Sequence, residues 1–291
     1  MYSDNKIPDV IIQSLDEFIG RRFMVTPSGG GCINNTCVIE AMKGRFFLKW
    51  NDALKYPGML AAEVLGLQQV RSANAIRTPR VLAQAETNTY QYLLLECIAS
   101  APRSHNFWND FGRQLALLHS CSSTTFGLDH DNYIGSLPQT NSTHDRWVDF
   151  LIHKRLKPQL DLALSNSLIA NRTIGMFEKL FLMLPGVLSE RQPCLLHGDL
   201  WSGNLMTDEN GSPCLIDPAI YFGDNEVDLA MTQLFGGFDL SFLSAYQEIT
   251  PLEEGWRERF DIYNLYPLLV HVNIFGETYV SQLHSMLRRF V

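Results

Sequence analysis

Three polar side chains in the second half of the chain have the types and spacing that phosphoryl transfer requires. Asp199 follows a short apolar run in LLHGDLWSGNLM (residues 195–206), Asn204 comes five residues later, and Asp217 ends a second apolar run in CLIDPA. The kinase plan of this reaction places one carboxylate at the acceptor hydroxyl. It holds Mg²⁺ on the phosphates of ATP with an amide oxygen and a second carboxylate. The order aspartate, asparagine, aspartate supplies all three groups.

The first half of the chain offers groups that would hold the nucleotide. Lys49 ends the apolar run FFLKW, and Glu63 lies fourteen residues later in a predicted helix, where it can pair with the lysine and orient it. The consecutive glycines Gly29, Gly30 and Gly31 supply backbone that can approach phosphates without side-chain clashes. The sequence therefore predicts a phosphate site in this half of the chain.

The backbone of Glu96, Cys97 and Ile98, at the end of a predicted strand, can bond the edge of an adenine ring. Each signal alone has a plainer interpretation. A glycine run is often only a hairpin turn, a single Lys or Glu is usually a solvated charge, and an aspartate before proline is often a turn residue. Their order along the chain is what favours a kinase.

Hydrophobic periodicity predicts the elements that position these residues. The first part reads as a helix over 7–20, three antiparallel strands within 23–51, a helix over 57–73, and strands at 79–84 and 90–98. From about residue 104 the pattern is helical, with short strand-like runs at 194–196, 203–207 and 213–216. We predict an α+β fold with a five-stranded nucleotide-binding lobe, residues 1–98, and a large helical catalytic and substrate lobe, residues 99–291.

Composition narrows the class of protein. The 291 residues carry a formal net charge of −8, with 46% hydrophobic and 19% charged residues, which is ordinary for a globular enzyme. The negative charge argues against nucleic-acid binding, and no apolar run approaches the about 18 residues of a membrane span. Six scattered cysteines and an N-terminus without an export signal predict a cytoplasmic protein with reduced thiols.

Longer motifs carry a resemblance to a known family. HGDLWSGN (197–204) and IDPAIYFGDNEVDLAMTQLFGGF (216–238) resemble the fructosamine kinase, or ketosamine 3-kinase, family. GGGCIN (29–34), FGLDHDNYIGSLPQTN (126–141) and NIFGETY (273–279) strengthen the resemblance, which runs from about residue 5 to the C-terminus. HGD with a downstream aspartate belongs to the wider aminoglycoside- and choline-kinase-like group, whereas the other motifs indicate the fructosamine branch.

The resemblance implies a protein-kinase-like, two-lobed fold and an enzyme that uses ATP and Mg²⁺. Such an enzyme phosphorylates the third-carbon hydroxyl of a ketoamine, a fructosamine or ribulosamine, on a protein or a small molecule. The product is unstable and frees the amine, which makes the family a deglycation and repair system. By the same resemblance, Asp199 is the catalytic base, Asn204 and Asp217 hold Mg²⁺, Lys49 with Glu63 positions the phosphates, and Glu96 to Ile98 contact adenine.

The roles of several residues in and around these motifs depend on the tertiary structure. We predict that Trp201 stacks on the sugar or faces the cationic amine, rather than packing under the loop. Asp224 is a candidate substrate contact and Asp228 a structural residue, while Glu226 is undecided between the two. His197 is expected to brace the loop.

Two further positions stay open at this level. Cys32, inside the glycine turn, is either simply a small residue or a redox-sensitive thiol. Glu277 stands where the family usually has glycine, which affects the expected substrate size. The alternatives are a kinase of another hydroxylated amine, such as an aminoglycoside or choline, and a nucleotide-binding pseudokinase. The natural acceptor and the oligomeric state are not readable from the sequence.

Overall fold

The structure is a computed structural model that describes residues 6–20, 22–28 and 33–291. Its first part is a five-stranded antiparallel sheet with the strand order β1-β2-β3-β5-β4. The strands are β1 (Phe23–Pro27), β2 (Asn35–Ala41), β3 (Gly44–Asp52), β4 (Val81–Glu86) and β5 (Tyr90–Glu96). All five predicted strands are present, although β4 begins two residues later than the sequence pattern indicated.

Helices cover both faces of this sheet. Two short helices, α1 (Asp9–Ser14) and α2 (Asp16–Ile19), replace the single helix predicted over 7–20, and Leu15, with φ −95° and ψ −1°, is the turn residue between them. They pack on a face that includes Leu48 and Trp50. Helix α3 (Met59–Ser72) covers the opposite face, where Leu60 and Leu67 pack against Leu93 and Leu95.

The rest of the chain is mainly helical and shares one large apolar core. Its centre is α10 (Trp256–Phe275), which is buried along most of its length. The surrounding helices are α4 (Phe107–His119), α5 (Trp147–Phe150), α6 (Lys157–Ser165), α7 (Asn171–Val187), α8 (Glu226–Leu234), α9 (Leu240–Gln247) and α11 (Val280–Leu287). A π-helical turn at Leu151–Leu156 joins α5 to α6, and a 3₁₀ turn at Glu277–Tyr279 precedes α11. The long helical pattern over 225–289 is therefore several helices.

Three pairs of three-residue strands interrupt the helices. They are β6 (Asn132–Ile134) with β7 (Leu137–Gln139), β8 (Cys194–Leu196) with β11 (Tyr221–Gly223), and β9 (Leu205–Thr207) with β10 (Pro213–Leu215). The sequence predicted β8, β9 and β10 but missed β6, β7 and β11. Three residues are too few to show a strand's alternation of buried and exposed side chains.

The architecture confirms the predicted α+β class. The division into lobes at residues 98 and 99 stays a proposal. Across the described segments, no helix is both long and apolar enough to cross a membrane.

Candidate active site

The loop that carries Asp199 runs from β8 to β9 and lies directly beside the segment that follows Asp217. Gly198 has a φ of +80°, and a Cβ atom on it would overlap the carbonyl oxygen of Ala219. Glycine satisfies both conditions because it has no side chain and adopts positive φ readily. A 3₁₀ turn at Ser202–Asn204 then leads the chain into β9.

Asp199 and Asn204 are joined by side-chain hydrogen bonds. Nδ2 of Asn204 donates to Oδ2 of Asp199 at 2.9 Å and to its backbone oxygen at 2.8 Å. Burial raises the pKa of Asp199 to about 7; the Asn204 bond opposes this rise, and the charges of Asp217 and Asp228 add to it. A carboxyl group with a pKa near neutral is suited to accept a proton from an alcohol.

Asp217 lies at φ +54°, in the left-handed region where aspartate is one of the few enriched residues other than glycine. The amide of Ile216 donates to the backbone oxygen of Asn204 at 3.1 Å, so the two predicted metal ligands lie on adjacent segments. The side chain of Asp217 is 44% exposed. It therefore faces the crevice between the sheet and the helices.

Lys49 reaches Asp217 from the sheet. Because side chains alternate along β3, Leu48 and Trp50 pack toward α1 and α2, whereas Lys49 points to the α3 face. Its ammonium donates to Glu63 Oε1 at 2.8 Å and also to Asp217 Oδ1. The lysine is only 3% exposed. Burial alone would lower its pKa, but the carboxylates of Asp217 and Glu63 outweigh burial and raise the pKa, so the lysine stays charged.

Helix α3, which carries Glu63, packs on the chain that follows Asp217. A Cβ atom on Gly66 would lie 3.2 Å from Cγ of Pro218 and 3.7 Å from Cγ1 of Ile220. Burial raises the pKa of Glu63, and Lys49 opposes that rise. The position of α3 therefore controls where Glu63 holds the lysine.

A buried carboxylate holds the loop that carries Asp199 by its backbone. Asp228 accepts hydrogen bonds from the amides of His197 (2.7 Å) and Gly198 (2.9 Å), and it lies 3.2 Å from Nε2 of His119. These partners lower its pKa although burial acts in the opposite direction. His197 Nε2 bonds the carbonyl oxygen of Ile216 at 2.9 Å, and burial lowers the pKa of the imidazole. Both residues have the bracing positions expected of them.

The predicted adenine contact at the end of β5 is partly occupied by protein. The amide of Glu96 donates to the carbonyl oxygen of Arg80 at 2.9 Å, and its carboxylate binds Arg77 and Arg80. Cys97 and Ile98 follow β5 and are half-buried. The backbone amide of Glu96 is therefore not available to adenine, and the contact from Cys97 and Ile98 stays a prediction.

Trp201 lies beside the catalytic pair and is 41% exposed. Its indole ring covers Gly203 so closely that a Cβ atom there would overlap the ring. The amide of Trp201 donates to the backbone oxygen of Asp199 at 3.1 Å. The ring therefore lies on the surface of the loop, not beneath it.

Asp224 is not available to a substrate, which corrects the prediction made from the sequence. It is 1% exposed, accepts from the hydroxyl of Tyr263 and the amide of Glu226, and lies 3.6 Å from Nε of Arg191. Glu226 is likewise buried and binds Arg191 and Arg259. The two acidic residues belong to an internal ionic network with Arg191 and Arg259.

An aromatic cluster, absent from the sequence predictions, lies at the C-terminal ends of α8 and α10. It comprises the half-exposed rings of Phe235, His271, Phe275 and Tyr279, with neighbouring centroids 4.6–6.0 Å apart. The loop after α8 connects it to the catalytic loop, since a Cβ atom on Gly237 would lie 2.7 Å from Cβ of Ser202. The signal in the sequence was a spacing of four between the aromatic residues 271, 275 and 279, although α10 ends at Phe275 and Tyr279 lies in the following 3₁₀ turn. Glu277 is exposed in the 3₁₀ turn next to this cluster.

The remaining predicted residues lie outside the described part of the chain. Gly29, Gly30, Gly31 and Cys32 fall between residue 28, at the end of β1, and residue 33, before β2. The end of β1 and the start of β2 lie at this side of the sheet. Lys49 is close by, because its backbone pairs with that of Thr36 near the start of β2. The five described cysteines are free thiols.

The donors present fit a magnesium ion shared with phosphates. Mg²⁺ in nucleotide sites typically takes one or two protein carboxylates and completes its coordination with phosphate oxygens and water. Asn204 and Asp217 provide an amide oxygen and a carboxylate on adjacent segments. Because Nδ2 of Asn204 is turned to Asp199, its Oδ1 is left for another partner.

Comparison with known proteins finds one family across nearly the whole chain. The profile described as fructosamine kinase matches residues 9–291. The probable ketoamine kinase of Synechocystis is 39% identical over 288 residues, which is 96% of this chain and 95% of that protein. The chloroplastic protein-ribulosamine 3-kinase of Arabidopsis thaliana is 38% identical, covering 89% of this chain and 80% of that protein.

Comparison with solved structures indicates the same family and a shared fold. The putative fructosamine-3-kinase of Thermobifida fusca superposes with a TM-score of 0.87 at 31% identity, over 97% of this chain and 98% of that one. The aminoglycoside phosphotransferase APH(4)-Ia, in a ternary complex with AMP-PNP and hygromycin B, superposes with a TM-score of 0.63 at 16% identity, over 95% and 97% of the two chains. The second likeness shows a shared fold, which is the predicted protein-kinase-like one.

Proposed function

The chain belongs to the fructosamine kinase family, and we infer that it is an ATP-dependent phosphotransferase acting on ketoamines. Its relatives are named for ketoamines, ribulosamines and fructosamines, so we propose a fructosamine or ribulosamine as acceptor and the third-carbon hydroxyl as the phosphorylated group. One observation of the structure supports this most directly. Lys49 from the sheet contacts Asp217 beside the Asp199–Asn204 pair, so a charged nucleotide and an acceptor base share one crevice.

Asp199 is the proposed catalytic base. Its carboxylate takes the proton of the acceptor hydroxyl while the oxygen attacks the terminal phosphorus of ATP. The bond from that phosphorus to the bridging oxygen of the β-phosphate breaks, and ADP leaves. The bond from Asn204 holds the carboxylate in one orientation, and the amides held by Asp228 fix the loop behind it. Correct orientation of a base contributes to the reaction rate in addition to its basicity, because misplacement of a reacting group by about 1 Å lowers the rate roughly 10²-fold.

Lys49 is the proposed phosphate ligand, with Glu63 as its orienting partner. Asn204 and Asp217 are the proposed Mg²⁺ ligands, and a bound ion would neutralise charge on the phosphates. The backbone of Cys97 and Ile98 is the proposed adenine contact. A fold relative has been solved with AMP-PNP, which is consistent with ATP as donor.

Trp201 and the aromatic cluster of Phe235, His271, Phe275 and Tyr279 are the proposed acceptor wall. Aromatic faces bind both the apolar face of a sugar and the cationic amine of a ketoamine. Release of the amine from the unstable product is the part of the proposal that the family resemblance supplies. The proposed cytoplasmic location rests on the scattered cysteines, which suit reduced thiols.

A substrate panel tests the proposal. Purified protein with Mg²⁺ and ATP is given fructose-lysine, ribulose-lysine, lysine itself and an aminoglycoside, and ADP release is measured. We expect ADP with the two ketoamines and none with lysine. Turnover of the aminoglycoside alone, or of no acceptor, would overturn the assignment; the Asp199→Asn variant controls for contaminating kinases.

A further inference from the structure

The motif FGLDHDNYIGSLPQTN (126–141) has no part in the function proposed above, yet it forms a hairpin at a central place. Strands β6 and β7 are joined by a turn at Gly135 and Ser136. The base of the hairpin is buried next to the segment that follows Asp217. Its first strand, β6, reaches the start of α3, the helix that carries Glu63.

The base is held by a network of buried amides. Asn132 Nδ2 donates to the carbonyl oxygen of Ile220 at 2.8 Å, and Gln139 Nε2 donates to Oδ1 of Asn132 at 2.8 Å and to the carbonyl oxygen of Ala219 at 3.2 Å. Asn132 and Gln139 are buried, and Gln139 also accepts from the hydroxyl of Tyr266 at 2.6 Å. Buried and satisfied amide networks of this kind specify a single arrangement of the segments they join. The hairpin is therefore fixed to Ala219 and Ile220, which lie two and three positions after Asp217.

The hairpin also contacts the sheet half of the protein. The hydroxyl of Tyr133 donates to the carbonyl oxygen of Pro57 at 2.9 Å. Pro57 directly precedes Gly58, the N-cap of α3. A Cβ atom on Gly135 would lie 3.7 Å from Cδ1 of Ile33 and 2.7 Å from Cδ1 of Ile274, so the turn lies between a residue next to the glycine-rich turn and helix α10.

The start of α3 thus has one anchor from each half of the protein. Within the sheet half, the buried Gln91 makes two bonds: its Oε1 accepts from the amide of Leu60 at 2.9 Å, and its Nε2 donates to the carbonyl oxygen of Tyr56. From the helical half, Tyr133 is bonded to Pro57. Contacts therefore form a closed ring. Asp217 contacts Lys49, Lys49 contacts Glu63, and helix α3 connects Glu63 to Pro57. The hairpin connects Pro57 to Ala219 and Ile220, from which the chain leads back to Asp217.

We propose that the β6–β7 hairpin is a strut that sets the distance between α3 and the Asp217 segment, with Tyr133 on β6 as the positioning residue. The hydroxyl of Tyr133 holds α3, and with it Glu63, in position. Glu63 in turn keeps Lys49 in contact with Asp217 for nucleotide binding. This inference rests on the proposed kinase function, but its test does not require the ketoamine.

The test is a double-mutant cycle on nucleotide affinity. The dissociation constant of Mg²⁺ and AMP-PNP is measured by calorimetry for the full chain, for Tyr133→Phe, for Glu63→Gln and for the double variant. Loss of one neutral hydrogen bond, acting through α3, should weaken binding about 3- to 10-fold in Tyr133→Phe. If the hydroxyl acts through Glu63, the double variant binds no more weakly than Glu63→Gln alone, because coupled sites are not additive.

Tyr90→Phe is the matched control, because Tyr90 is a half-exposed tyrosine whose hydroxyl bonds nothing in the described chain; its affinity should equal that of the wild type. Amide exchange in the first turn of α3 should accelerate in Tyr133→Phe and not in Tyr90→Phe. Unchanged affinity in Tyr133→Phe, or effects that multiply in the double variant, would overturn the strut. A wild type that binds the nucleotide but phosphorylates no ketoamine would overturn only the proposed function.

Discussion

The ammonium of Lys49 on strand β3 donates a hydrogen bond to the carboxylate of Asp217, a residue 168 positions further along the chain. The same nitrogen bonds Glu63, so one buried cation lies between two carboxylates from opposite sides of the crevice. A buried cation of this kind persists only with its partners, since burying an unpaired charge is costly. Lys49 is therefore already in place where nucleotide phosphates would take over part of its pairing.

Replacing Asp217 should stop catalysis without unfolding the protein. In Asp217→Ala we expect turnover to fall by about 10³-fold or more, because metal-assisted charge stabilisation is worth several kcal/mol. Steady-state rates over a Mg²⁺ titration measure the effect. Near-normal turnover at ordinary Mg²⁺ would refute the metal assignment, and a thermal melt controls for folding.

Asp199→Asn separates chemistry from nucleotide binding. The substitution keeps the shape of the side chain but removes the base, so kcat should fall about 10²- to 10⁴-fold. The affinity for AMP-PNP should change little, because Asp199 has no role in the proposed nucleotide contacts. A kcat close to that of the wild type would show that Asp199 is not the base.

Trp201→Ala should affect the acceptor and not the nucleotide. Loss of a contact worth about 0.5–2 kcal/mol raises the KM for ketoamine roughly 2- to 30-fold. The KM for ATP, measured in the same preparation, is the internal control. Equal changes in both constants would mean that the indole supports the loop and does not bind the acceptor.

Asp224→Asn tests the corrected role of this residue. Because Asp224 is buried against Tyr263 and Arg191, removing its charge should lower the free energy of unfolding by about 1–3 kcal/mol. The KM for ketoamine should stay at the wild-type value. Urea unfolding and steady-state kinetics measure the two quantities, and a raised KM with unchanged stability would restore the substrate role.

Asp228 should make the protein sensitive to acid. Its pKa is lowered in the folded protein, so its stabilisation is present above the unfolded value of about 3.9 and is lost as the pH falls through the lower, folded value. The stability difference between wild type and Asp228→Asn should therefore be largest near neutral pH and shrink in acid. Urea unfolding between pH 3 and pH 7 measures it; a constant difference would contradict the bracing role.

The local pattern of the sequence was enough to predict the five-stranded sheet, the helix that follows β3, and the residues 49, 63, 199, 204 and 217 of the candidate site. The strands and the helix are long enough to show hydrophobic periodicity. The site residues were recognisable because apolar runs next to them mark strand ends. The family resemblance added the reaction and the acceptor class. The site predictions on Gly29 to Cys32 remain predictions.

Tertiary structure alone decided the rest. Whether Asp224 faces substrate or the interior depends on β11, a three-residue strand with no periodic signal, and on Tyr263 and Arg191 from distant parts of the chain. The bond from Tyr133 to Pro57 likewise joins residues 76 positions apart. Sequence patterns report which face of an element is buried, because burial follows from local hydrophobicity. Which polar partners meet across the crevice follows only from how the two halves pack.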